Sequence, residues 1–141
     1  MSTPDENAEK LRQAYHQWNA TKGASAQVWL DLMTDDVQMR SVSDGGGGMD
    51  FTRAQSGKSA AAAYFAGLGA DWEMVHFTAD EFIAQGDRVV VLSRVAFRFR
   101  ATGKVASSPK ADVFRFAGGK VVEFFEFFDT AAAFAATRGE E

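Results

Sequence analysis

The stretch Asp112-Val113-Phe114-Arg115-Phe116-Ala117-Gly118-Gly119-Lys120-Val121-Val122-Glu123-Phe124-Phe125-Glu126-Phe127-Phe128-Asp129 decides the reading of this chain. Two runs of β-branched and aromatic residues flank Gly118-Gly119, so the stretch reads as two strands joined by a tight hairpin turn. Side chains alternate between faces along a strand. In the first strand Asp112, Phe114 and Phe116 share one face, and Val113 and Arg115 take the other. In the second, Val122, Phe124, Glu126 and Phe128 lie opposite Val121, Glu123, Phe125 and Phe127. Asp112 and Glu126 thus each sit on a face otherwise made of large apolar side chains. Burial there disfavours a carboxylate and raises its pKa, which is how an acid–base group is poised near neutral pH.

Outward from this hairpin, Gly86-Asp87 and Thr102-Gly103 supply further turn chemistry. They separate strands at about Trp72–Ala84, Arg88–Thr102 and Lys104–Ala117, with the last strand at Lys120–Phe128. The first part of the chain is helical in pattern. Leu11, Tyr15 and Trp18 recur at helical spacing in a helix over 5–22, which Asn19–Gly23 stops. A shorter helix over Ala26–Met33 turns Val28, Trp29, Leu32 and Met33 inward, Thr34-Asp35-Asp36 breaks it, and Val37–Val42 alternates as a strand. A third helix, Lys58–Gly67, packs Ala62, Phe65 and Ala66, and a short one covers 130–136. Between the first strand and the third helix lie four consecutive glycines, Gly45–Gly48, read either as a mobile linker or as a flap over a cavity mouth. Helices first and an antiparallel meander afterwards make an α+β fold. The expected shape is a cone-shaped α+β barrel, its N-terminal helices packed in a strongly curved antiparallel sheet that encloses an apolar cavity.

A length of 141 residues suits a single domain spanning 1–141. The absence of cysteine excludes disulfides, thiolate metal sites and cysteine nucleophiles. The net charge of −4 argues against nonspecific nucleic-acid binding. Arg94, Arg98 and Arg100 share one strand face, read as a solvated or partner-contacting surface. The N-terminus lacks a basic region followed by an apolar run, and no apolar run approaches bilayer length, so a cytoplasmic location without membrane contact is expected. Thirteen Phe against two Tyr and three Trp point to an apolar interior or cavity, and so to an apolar small molecule as partner. His16 and His76 are the only histidines and lack metal-ligand spacing, so no metal is expected. Gly57-Lys58-Ser59 lacks the upstream glycine of a phosphate loop, and no Gly-x-Ser-x-Gly elbow occurs.

Several segments together resemble the nuclear transport factor 2-like superfamily, in its SnoaL-like and ketosteroid-isomerase-like branch. They are Tyr15–Asn19, Leu32–Val37, Gly57–Ala60, Ala84–Val91, Phe114–Glu123 and Phe127–Asp129, and the resemblance covers nearly the whole chain. The superfamily hosts isomerases, cyclases, dehydratases, epoxide hydrolases and noncatalytic binding modules. By this resemblance Asp112 matches the protonated aspartate of the isomerase oxyanion hole. Met39 stands where the isomerases carry their general-base aspartate. Their oxyanion-hole tyrosine falls at or beside Ala14, with Tyr15 one residue, or about 100° of helix, out of register. Asp129 resembles the acidic residue that closes the last strand in SnoaL-like chains, where an aspartate is the acid–base group of polyketide cyclases.

The expected function is cofactor-free proton transfer (isomerisation, cyclisation or dehydration) on an apolar carbonyl compound. Glu126 is the candidate general base and Asp112 the hydrogen-bond donor, with Asp129 or His76 auxiliary. Asp129 also stands where it would cap the last helix. His76 shares strand parity with Trp72, Met74 and Thr78, which leaves it on the cavity face or the outer one. Lys110 shares Asp112's face, and a pair between them keeps the carboxyl ionised and removes its donor role. Tyr15, Trp18, Met39, Phe65, Phe97, Phe99, Phe114, Phe124 and Phe128 are the candidate ligand-binding walls. The alternative is a noncatalytic small-ligand-binding or dimerisation module of the same fold. A homodimer through the outer sheet face is expected, with Val89, Val91, Arg94 and Arg98 available to it.

Overall fold

The computed structural model describes residues 2–140. The chain runs α1 (Pro4–Ala20), α2 (Ala26–Leu32), β1 (Met33–Ser41), β2 (Gln55–Ser56), α3 (Lys58–Asp71), β3 (Trp72–Gln85), β4 (Arg88–Phe99), β5 (Val105–Ala117), β6 (Lys120–Phe128) and α4 (Thr130–Thr137), with a 3₁₀ turn at Asp50–Thr52. Among the described residues no helix is long and apolar enough to cross a membrane.

Local chemistry sets these boundaries. Thr3 and Glu6 exchange the reciprocal side-chain and backbone bonds of a capping box, and Pro4 opens α1. Ala117 pairs with Lys120 across a two-residue turn. Gly118 and Gly119 there hold φ of 58° and 79°, the primed turn that matches strand twist.

The six strands form one sheet in the order β2-β1-β6-β5-β4-β3. It is mixed rather than wholly antiparallel. β1 runs parallel to β6, because α3 and the whole β3–β6 meander intervene before the chain returns beside it. The core lies between the inner sheet face and α1, α2 and α3, around Leu11, Val37, Val89, Val91, Phe114 and Val121. Val89 and Val91 thus belong to the core, not to the outer face expected of them. Odd-numbered positions of β4 face inward, so Val89 and Val91 lie opposite the exposed Arg94 and Arg98.

Two bulges and one featureless helix account for the other differences. Arg115 pairs with Glu123, but Phe116 pairs with Val121, so Val122 is the extra residue of a β-bulge. It turns Val121 into the core and leaves Val122 half-buried, reversing the expected sides. A second shift, between Met74 and His76, leaves Val75 unmatched. On α3, Ala61 and Tyr64 are buried while Ala62 and Ala66 are exposed. Alanines occur on every side of that helix, so its apolar pattern does not identify the inward face.

The glycine segment is a docked loop rather than a linker. Gly47, at φ 63°, lies so close under Phe134 that a Cβ there would stand 2.0 Å from the ring. Thr137 Oγ1 donates to Gly47 O at 3.1 Å, and Met49 is buried with Trp72, Ala133 and Ala136. Loop and α4 together cover one end of the space between the helices and the sheet.

Candidate functional site

The Val122 bulge brings the two carboxylates together. Strict pairing back from Ala117 and Lys120 would set Asp112 opposite Phe125, and the extra residue moves it opposite Glu126. Lys110 lies two residues before Asp112 and shares its face. Its Nζ is 2.5 Å from Asp112 Oδ1 and 3.2 Å from Glu126 Oε1. From α1, Tyr15 OH donates to Asp112 Oδ2 at 2.5 Å, and from α3, Tyr64 OH donates to Glu126 Oε1 at 2.6 Å. Asp112 and Glu126 are 1% and 3% exposed. The ammonium lies 5.4 Å and 5.6 Å from the ring centroids of Phe77 and Phe124, within cation–π range.

Burial pushes the Asp112 carboxyl up, the Lys110 ammonium pulls it down, and the Glu126 charge pushes it up again, for a net rise. Burial lowers Lys110, but the charges of Asp112 and Glu126 outweigh it, and its pKa ends raised. Tyr15 and Tyr64 are raised well above the ordinary phenol value, first by burial and then by the carboxylate each faces. At neutral pH both tyrosines are therefore neutral donors and Lys110 is an ammonium. Asp112 accepts a bond at each of its oxygens, from Lys110 and from Tyr15. This overturns its expected role as a protonated donor. It also corrects the register of α1: Tyr15, not the position of Ala14, reaches the aspartate.

A pocket of about 110 Å³ opens beside this cluster. Tyr15, Trp18, Met39 and Phe65 line it, as do Phe97, Phe114, Phe124 and Phe128. Phe99 is not among the lining residues; its ring packs against Trp72, centroids 5.0 Å apart. His76 is not among them either. The Val75 bulge reverses parity, so Phe77 turns inward and His76 does not. His76 Nδ1 is buried with no hydrogen-bond partner among the described residues. Asp129 borders the pocket, exposed, and its carboxylate accepts from Ala132 N at 3.1 Å as the N-cap of α4. Asp129→Ala is expected to cost about 1 kcal/mol of stability and Asp129→Asn only a fraction of that. Urea unfolding of both variants checks it.

Sequence reasoning missed Tyr64 as a pocket residue. Trp29, which it turned inward on its helix, does line the pocket and stacks on Phe114 with ring planes 9° apart. Tyr64 had one available signal, a lone hydroxyl-bearing aromatic in an alanine helix. Among the described residues no group of three His, Cys, Asp or Glu gathers as a metal site would require.

The SnoaL-like domain family matches residues 11–124. No curated protein matches the chain. Solved structures do. A nuclear transport factor 2-like protein of unknown function from Burkholderia pseudomallei is 26% identical with TM-score 0.81, covering 96% of this chain and 98% of that one. A Jannaschia sp. protein named a "Putative SnoaL-like polyketide cyclase" is 21% identical with TM-score 0.77, covering 96% and 95%. A Bacillus subtilis protein named a "Putative Isomerase" is 17% identical with TM-score 0.79, covering 99% and 98%. The last two likenesses speak to fold alone.

Proposed function

The chain belongs to the SnoaL-like domain family, and from that premise we propose that it is a cofactor-free acid–base enzyme acting on an apolar carbonyl compound. One observation carries this reading: two buried carboxylates share a single ammonium. Well-packed apolar residues in place of a buried ionic cluster are often neutral or stabilising, so stability alone does not account for it. Among the described residues no donor reaches Glu126 Oε2, because Tyr64 and Lys110 both address Oε1. That oxygen is free to take a proton from the carbon next to a carbonyl. The C–H electron pair then moves into the enolate, and negative charge develops on the substrate oxygen. An ammonium carries three N–H donors, of which Asp112 and Glu126 engage two. The third N–H of Lys110 stabilises the developing oxyanion, the donor role that Asp112 cannot fill. Glu126 returns the proton to the same carbon or to another one. The test is exchange of α-hydrogen for deuterium when cyclic ketones are incubated with the protein in D₂O.

The second reading, a noncatalytic small-ligand-binding module, draws on the same cluster: both oxygens of Asp112 are already occupied. Ketone binding without any exchange would select it.

Homodimerisation through the outer sheet face is also proposed. Phe125 and Phe127 stack there with centroids 4.4 Å apart, and Ile83 and Phe127 are 53% and 40% exposed. Arg94 and Arg98 on that face pair with Asp80 and Glu73. Sedimentation equilibrium at micromolar concentration should give twice the chain mass, and Phe127→Glu should return a monomer. A wild-type monomer would end this proposal.

A further inference from the structure

The pocket sets limits on size and charge that the cluster alone does not. We infer that the substrate is an uncharged ketone the size of a single ring, and that steroid-sized and carboxylate-bearing compounds are excluded. The word substrate here rests on the acid–base reading above; the limits on what binds do not.

Size comes first. An apolar cavity of about 150 Å³ holds one benzene molecule, whereas pockets for larger ligands run to roughly 300–1,000 Å³. At about 110 Å³ this pocket is smaller than that benzene cavity, so a single small ring beside the cluster is the most it takes. Its far wall is fixed. Met49 and Phe51 come from the glycine loop and Ala133 from α4. Gly47 sits under Phe134 and is held by Thr137, so the loop cannot withdraw without unpacking α4. A four-ring skeleton would have to displace both elements.

Charge comes second. Lys110 is the one basic residue among those lining the pocket, and it already faces Asp112 and Glu126. A ligand carboxylate would bring a third negative charge to one ammonium in an apolar enclosure, where unpaired charge is most costly. At the opposite end the buried Trp72 Nε1–H has no partner among the described residues, but this donor is neutral and does not offset a full negative charge. Thr52 Oγ1 donates to Met49 O and accepts from Ser43 and from Gly45 N. Ser108 Oγ donates to Pro109 O and accepts from Asp129 N. Asp129 adds a further negative charge at the rim. The ligand therefore carries no charge, and its carbonyl oxygen is directed at Lys110.

The experiment titrates the full chain with 2-cyclohexenone, a decalone, a four-ring steroid enone and cyclohexanecarboxylate, following the Trp29 and Trp72 indole resonances by NMR. The single-ring ketone should bind at least tenfold more tightly than the steroid, and the carboxylate should give no saturable shift. Phe51→Ala and Met49→Ala should each raise decalone affinity at least tenfold relative to cyclohexenone. A steroid or carboxylate that binds as tightly as cyclohexenone overturns the inference, and so does the absence of a shift from every ring. Binding in the expected order without deuterium exchange would remove the acid–base reading and leave the size and charge limits standing. Exchange with a steroid would do the reverse.

Discussion

Glu126→Gln is expected to reduce α-deuterium exchange by about 10²–10⁴-fold, the range that a positioned general base supplies, while the fold and ketone binding persist. The amide has nearly the shape of the carboxylate, and its oxygen still accepts from Tyr64 OH, 2.6 Å away in the native protein. It cannot take a proton at neutral pH. The substitution also removes one of two carboxylates that share Lys110, so the cluster becomes a simple Lys110–Asp112 pair. The desolvation cost falls rather than rises, and urea unfolding should show stability equal to or above that of the native protein. Loss of exchange therefore cannot be assigned to unfolding. Native-level exchange in Glu126→Gln would remove Glu126 as the base. Asp112→Asn separates the roles: Lys110 loses its closest partner and Tyr15 faces a neutral acceptor, so exchange should drop less than in Glu126→Gln.

How much of this was legible in the sequence differs between hairpin and helices. The bounds Lys120–Phe128 and the turn at Gly118-Gly119 follow from residue chemistry, because two glycines between β-rich runs leave few alternatives. The pairing of Lys110 with Asp112 follows from their spacing of two on one strand face. Parity fails where the ladder carries an extra residue. Nothing in Val121-Val122 marks which valine is the bulge, yet that bulge decides that Asp112 meets Glu126. The same holds for Val75, which sends His76 away from the pocket. On α3 the pattern holds no direction, since alanine packs or faces solvent with little difference in free energy, and so Tyr64 stayed hidden. Tyr15 illustrates a different loss. A position carried over from a resemblance is off by a full turn-fraction when the helices differ by one residue, and the tertiary contact restores it. The mixed sheet, with β1 beside β6, depends on a contact between distant segments that no local pattern encodes.

Lys110→Met should be the most destabilising single substitution in the cluster, by about 3–5 kcal/mol at neutral pH. Methionine fits the space left by a side chain that is 10% exposed, so packing is largely kept. What is lost is the one cation that, among the described residues, lies between two carboxylates facing each other across β5 and β6. The sign of the pH dependence follows from Asp112. Its folded pKa is already above the ordinary 3.8, first because of burial. A carboxyl raised in the folded state contributes stability that is present below the unfolded pKa and declines as pH rises through the folded one. Lys110 is the largest influence pulling Asp112 down, so its removal raises that pKa further and extends the decline. Urea unfolding at about pH 5 and pH 7.5 should therefore show a deficit that shrinks on acidification. A deficit below about 1 kcal/mol, or one independent of pH, would mean that the buried charges are not coupled as the distances imply. The native protein should also lose stability in strong alkali. Lys110 is raised above 10.5, and the stability it contributes is present below that value and lost as pH climbs through its folded pKa. Replacing all three charges, as Lys110→Met with Asp112→Asn and Glu126→Gln, should restore most of the lost stability because no ion is left unpaired. If that triple variant folds as firmly as the native chain and exchanges no α-protons, the cluster is retained for chemistry. If it unfolds while Glu126→Gln does not, the ions hold the fold, and the noncatalytic module becomes the better description.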